Sequence, residues 1–311
     1  MNNNIEAMTM DSAPKNSKKI RLGNILKNNI SAWLILLPSL VLFAFFIWQP
    51  LVYGVILSFC ETIGFRIKGF VGFANYIEIF KDDIFRKALF NTFSYAFWSV
   101  LLGYLVPIFL AIVINEVAHF KSFFRFAIYF PNMVPAVATL ILWGFLFDPG
   151  QGILNSIRMS MGFAPSEWLQ NPHLTIPLLI LILTWRSAGS TAIIYVASLQ
   201  GINEELYEAA ALDGAGIMSR LRYITLPGIY NIARLMLIMQ IIFVFQVMYE
   251  PLVMTGGGPN NASISLMLLN YNYAFRDVAA AKASTIGVIV TIILLILTAI
   301  YQKFVKENDM S

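Results

Sequence analysis

Charge disappears from this chain over long intervals. No Asp, Glu, Lys or Arg falls between Lys27 and Glu61, Lys87 and Glu116, Arg125 and Asp148, or Lys282 and Lys303. Each interval has room for the roughly 20 apolar residues that an α-helix needs to cross a bilayer. In hydrocarbon a backbone must satisfy its own hydrogen bonds, so only helices or a closed barrel are open to such a chain. The apolar runs lack the period-two alternation of barrel strands, which leaves helices. Two further runs, 174–199 and 224–249, carry one arginine each, Arg186 and Arg234. The expected fold is an all-α polytopic membrane protein with six spans, near 32–59, 89–115, 123–147, 174–199, 224–249 and 283–303. A tail over 1–30 precedes this domain (31–304), and a short tail over 305–311 follows it.

Composition agrees: 58% of residues are hydrophobic and 12% charged, against about a quarter charged in soluble domains. The first run follows a polar tail and exceeds the length of a signal-peptide core, so it is expected to remain as a span. Pro38 and Pro50 are expected to kink or end it. The charge-free stretch 251–275 contains Gly256-Gly257-Gly258-Pro259-Asn260-Asn261 and reads as a loop or re-entrant segment. Lys15, Lys18, Lys19, Arg21 and Lys27 crowd the N-terminal tail. With Lys121, Arg125, Arg220, Arg222, Lys303 and Lys306 they make eleven on one side against eight on the other. The positive-inside bias then places both termini, and the loop 200–223, in the cytoplasm.

Several function classes are excluded. The net charge of +4, most of it flanking apolar runs, does not point to nucleic acid. One cysteine, Cys60, and two separated histidines, His119 and His173, offer no disulfide and no metal site. No nucleophile elbow and no Gly-x-x-x-x-Gly-Lys phosphate loop occurs, so the chain carries no catalytic residues of those kinds and no ATP site of the usual form. Asn261-Ala262-Ser263 matches a glycosylation sequon, a three-residue pattern common by chance.

Polar residues inside the spans carry more. Arg186 lies near the middle of the fourth span, where a charge needs water or a partner. Thr184, Ser187 and Ser190 lie close in sequence, and Ser190 shares its face. On the fifth span Gln240, Gln246 and Tyr249 form roughly one stripe, and Phe243 adds an aromatic face beside Trp185. Two readings stand: a hydrated pathway between these helices, or interhelical hydrogen bonding with Arg186 paired to an acid on a partner chain. A secondary transporter would place coupling acids inside the spans; Glu250, at an edge, is the nearest.

The loop between those spans reads Glu208-Ala209-Ala210-Ala211-Leu212-Asp213-Gly214-Ala215-Gly216 and continues to Ile224-Thr225-Leu226-Pro227. Asn203 is positioned to cap a helix that starts at Glu204-Glu205. Gly214 is positioned to end it in the left-handed conformation, and a second helical piece runs from Ala215 towards Arg222. Glu204, Glu205 and Glu208 favour a protein partner over an anionic lipid leaflet.

With this order of residues the chain resembles the membrane permease subunits of ABC importers, in the maltose-type carbohydrate uptake class. Glu208, Ala209, Ala210, Gly214, Ile224, Leu226 and Pro227 match that family's EAA motif. Val71-Gly72-Phe73-Ala74-Asn75-Tyr76, Asn91-Thr92 and Thr255-Gly256-Gly257-Gly258-Pro259 resemble family segments around the second and fifth spans. The resemblance implies a type I ABC importer permease fold in a bacterial inner membrane. It implies a second, usually homologous permease, two ATPase subunits that bind ATP and Mg, and an extracellular solute-binding protein that delivers a sugar. This chain itself would bind no cofactor. Residues Glu208 to Gly216, including Asp213 and Ala215, would form the coupling helix on the ATPase. Thr184, Arg186, Ser187, Ser190, Gln240, Phe243, Gln246 and Tyr249 would line the sugar's path. Arg186 departs from a neutral sugar site and implies either an acidic sugar or a partner carboxylate. Glycerol phosphate is a further possible cargo.

Overall fold

The computed structural model describes residues 30–116 and 120–308. The basic tail and His119 lie outside the described residues. The chain divides into two units, 1–53 and 54–311.

The first unit holds most of a span over Trp33–Ser58, with Pro38 inside its opening helix and a π-helical turn at Ala44–Trp48. A π turn frees carbonyls that neighbouring turns must take up, and such turns are tolerated in membrane helices.

In the second unit the spans are Asp83–Glu116, Thr175–Leu199, Ile217–Met254 and Ala280–Val305, with a broken pair between the first two. The core follows the second span from end to end. Phe85 and Ala88 pack with Ile264, Leu266, Leu268 and Ile286. Tyr95 packs with Leu179, Ile180, Val244 and Phe245. Ala111 and Ile114 pack with Tyr195, Val196 and Ile229. The second and fourth spans therefore run in the same direction, and the fifth runs against them.

Three features depart from the sequence expectation. The third apolar run is two helices, Lys121–Met133 and Ala136–Leu146, bent by 92°. Val134 is extended, with ψ 134, because the ring of Pro135 disfavours helical backbone in the residue before it. The fourth span lies very close to the first of these helices: a Cβ on Gly189 would stand 1.8 Å from the carbonyl oxygen of Ile128. The chain is also not wholly helical. Strands β1 (Cys60–Ile63) and β2 (Arg66–Phe70) form an antiparallel hairpin. Gly64 turns it with φ +60, and Lys68 bridges to Glu61 at 2.7 Å. Finally, 251–275 is largely short helices, Tyr249–Met254, Leu266–Tyr271 and a π turn at Asn272–Arg276, around the glycine turn.

Buried polar side chains from distant segments hold that turn in place. Asn91 Nδ2 donates to the carbonyls of Asn261 (2.8 Å) and Ile264 (2.9 Å), Tyr95 Oη to that of Ser263 (2.8 Å), and Leu266 N to Thr92 Oγ1 (3.0 Å). Asn75 does the same for the chain leaving the first span, donating to the carbonyls of Ser58 (3.0 Å) and Cys60 (2.9 Å). Nearby, Tyr273 Oη donates to Asp82 at 2.5 Å, and burial together with that carboxylate pushes the Tyr273 hydroxyl pKa up.

Candidate functional site

Two groups of residues stand out, at different depths of the bundle. The first is the segment between the fourth and fifth spans. Glu204–Leu212 is a helix whose N-cap, Asn203, accepts from Glu205 N at 3.1 Å. Its acids at Glu204 and Glu205 sit where the helix dipole favours negative charge. It stops at Gly214, φ +74, with Ala215 N bonded to Ala210 O (2.8 Å) and Gly214 N to Ala211 O (3.1 Å). That paired arrangement is the Schellman motif, which needs a residue tolerant of positive φ at Gly214. A short helix, Ile217–Arg220, then runs through a π turn into Leu226–Phe245.

No residue of Glu204–Leu212 is buried. Glu208, Ala209 and Asp213 are exposed; Ala210 and Ala215 are half-buried; Gly216 is exposed. Leu212 is 90% exposed, and Ile217 and Met218 are exposed beside it. Exposed apolar side chains thus stand beside acidic residues, a composition suited to docking. The helix is nevertheless fixed from behind. Tyr207 Oη shares a hydrogen bond with the buried Thr225 Oγ1 at 3.1 Å. Ile202 seats on Gly228, where a Cβ would stand 2.3 Å from the Ile202 Cδ1. A cleft of about 400 Å³ behind it is lined by charges of both signs, including Glu116, Lys121, Glu208 and Arg220.

The second group surrounds Arg186. Its Nη1 stands 3.7 Å from Glu250 Oε1, with side-chain exposures of 26% and 8%. The acid is thus in the same chain, where the sequence reading looked to a partner chain or an acidic cargo. Trp185 meets Trp143 of the broken pair edge to face, with ring centroids 5.6 Å apart, and Tyr249 packs with Leu140, Phe147 and Ile182. Ser187 and Ser190 are half-buried and donate to the backbone carbonyls of Leu183 (2.9 Å) and Ser187 (2.7 Å). Phe243 and Gln246 are exposed, and Gln246 bonds to the carbonyl of Ile242.

Two of the expected pathway residues sit elsewhere. Thr184 is about 200° round the helix from Arg186 and is buried with its hydroxyl unbonded. Gln240 donates to Ser99 Oγ at 2.6 Å and lies over Gly103, where a Cβ would stand 2.5 Å from its Nε2. That contact joins the fifth span to the π turn Ser99–Tyr104 of the second. Sequence reasoning missed Glu250 and Trp143. The signal for Glu250 was present, as the one acid close to the fifth span.

The family model of the binding-protein-dependent transport system inner membrane component matches residues 103–307. The chain is 34% identical over 287 residues to the probable ABC transporter permease protein YurN of Bacillus subtilis (strain 168), covering 91% of this chain and 98% of that protein. It is 29% identical over 269 residues to the arabinooligosaccharides transport system permease protein AraP of the same organism, covering 86% and 85%. Its fold resembles a chain in the crystal structure of a bacterial ABC transporter involved in the import of the acidic polysaccharide alginate. The TM-score is 0.83 at 24% identity, with 92% of this chain and 99% of that chain covered.

Proposed function

Because this chain belongs to the family of binding-protein-dependent transport system inner membrane components, we propose that it forms a sugar or oligosaccharide pathway driven by ATPase subunits that dock on Glu204–Leu212. The chain is a non-catalytic ABC importer permease of the type I fold. Its cargo, its partners and its orientation are the proposed part. A second, homologous permease completes the pathway. Two ATPases, which bind ATP and Mg, sit on the cytoplasmic face with the loop helix and both termini. A solute-binding protein delivers the saccharide at the opposite face, near the hairpin and the glycine turn.

The observation that carries this reading is the loop helix, presented to the outside yet fastened to the fifth span through Tyr207–Thr225 and Ile202–Gly228. A partner that pushes on such a helix also moves the span. Closure of an ATPase pair beneath it would rock the spans between inward-open and outward-open states. Glu208, Ala209, Ala210, Asp213, Gly214, Ala215 and Gly216 form the joint. Arg186, Ser187, Ser190, Phe243, Gln246 and Tyr249 line the path. Thr184 and Gln240 support it by packing against other elements of the bundle.

Glu208→Lys tests the joint. Glu208 is exposed, so the change is expected to leave the permease folded and assembled while ATP hydrolysis no longer drives uptake. Uptake equal to that of the unaltered complex would contradict the docking role.

A further inference from the structure

Cargo charge is the question the fold leaves open, since proteins named for arabinooligosaccharides and for an acidic polysaccharide share it. We infer that the Arg186–Glu250 pair is a charge filter that admits neutral saccharides to the pathway and refuses anionic ones. The inference rests on the permease reading above and concerns the same group of residues.

An arginine alone beside a translocation path would attract carboxylates and phosphates, because its planar guanidinium matches them with paired donors. Here the guanidinium already faces a carboxylate of its own chain, 3.7 Å from Nη1. Glu250 is the more deeply buried of the two, so the negative charge is held in place while the arginine keeps an accessible side. A uronate arriving at Arg186 would bring a second negative charge next to Glu250, in surroundings where water screens little. A sugar hydroxyl brings none.

The pair is also not a saturated structural bridge. At 3.7 Å it is an ion pair without a hydrogen bond, and Arg186 Nη1 forms no hydrogen bond within the chain. Nη1 itself is buried, so it is the remaining, accessible side of the guanidinium, 26% of the side chain being exposed, that suits a hydroxyl acceptor. Trp185 beside it, 40% exposed, and the partly exposed Tyr249 supply the aromatic faces against which a neutral ring packs. Arg234, in the fifth span, is differently placed, over the ring of Tyr230 at 5.4 Å from its centroid.

The test uses the complete importer in proteoliposomes, with its binding protein, and measures ATP-dependent uptake. The neutral probes are maltotriose, arabinotriose and xylotriose; the anionic probe is trigalacturonate. The filter predicts that the unaltered complex carries a neutral trisaccharide and is indifferent to excess trigalacturonate. In Glu250→Gln, neutral uptake should fall by at least about tenfold, and trigalacturonate should now inhibit what remains. Because the binding protein is the same in both complexes, new inhibition belongs to the permease. Glu250→Asp, which keeps the carboxylate, should retain indifference to trigalacturonate and so separates charge from packing. Uptake of trigalacturonate by the unaltered complex overturns the filter and leaves the saccharide permease standing. So does a Glu250→Gln complex that assembles and stays indifferent to it. Uptake of no saccharide of either charge overturns the permease reading, and the filter with it.

Discussion

At the scale of single residues, two glycines are held by different demands. Gly189 is there for space: any side chain would drive its Cβ into the backbone of Ile128 at 1.8 Å. A backbone atom cannot swing aside as a side chain can, so the two helices must part. Gly189→Ala is expected to destabilise the purified permease by at least about 1–3 kcal/mol, read as earlier thermal unfolding in detergent. Gly144→Ala is the control, because nothing stands within 4 Å of a Cβ there. Equal unfolding of the two variants would contradict the close approach. Gly214 is there for conformation, since the space around it is open but its φ is +74. This second demand was legible in the sequence, where a glycine after an alanine-rich helix has a known use. The first was not, because close packing depends on which surface a helix meets. Arg186 was legible as a charge out of place, but its partner was not. Glu250 comes far later in the sequence and meets Arg186 only when the spans pack.

At the scale of elements, the spans announce themselves through missing charge, because the bilayer penalises charge wherever a helix crosses it. That signal carries no information on whether a crossing is straight. The third run was long enough for one helix, yet Pro135 breaks it through the residue before it. The hairpin 60–70 was equally hidden. Its two strands are short, and the charges at Glu61, Arg66 and Lys68 mask any alternation. The glycine turn shows how elements far apart in sequence become one. Asn91, 3% exposed, satisfies two carbonyls of that turn from the start of the second span. Asn91→Ala leaves both without their donor, and an unsatisfied buried acceptor costs about 1–3 kcal/mol. The expected result is faster amide hydrogen exchange confined to residues 255–266, with exchange in Glu204–Leu212 unchanged. Unaltered exchange in the turn would show that Asn91 does not hold it.

For the whole molecule, the core explains how a push at one end reaches the other. Along the second span three packed clusters follow one another, and the fifth span enters two of them, through Ile229 and through Val244 and Phe245. The loop helix is tied to the fifth span at Thr225 and Gly228, and that span ends beside Glu250. The fifth span, broken at 246–248, therefore joins the loop helix to the group around Arg186. A capped helix ended by a glycine was legible in the order of residues from Asn203 to Gly214. How that helix connects to the polar group was not, because the connection lies in side-chain packing rather than in motif. The proposed energy source is ATP hydrolysis by partner subunits. Reconstitution of this chain with its second permease, ATPases and binding protein should give saccharide uptake only when ATP is hydrolysed. Uptake by the chain alone under an ion gradient, with no ATPase present, would contradict it.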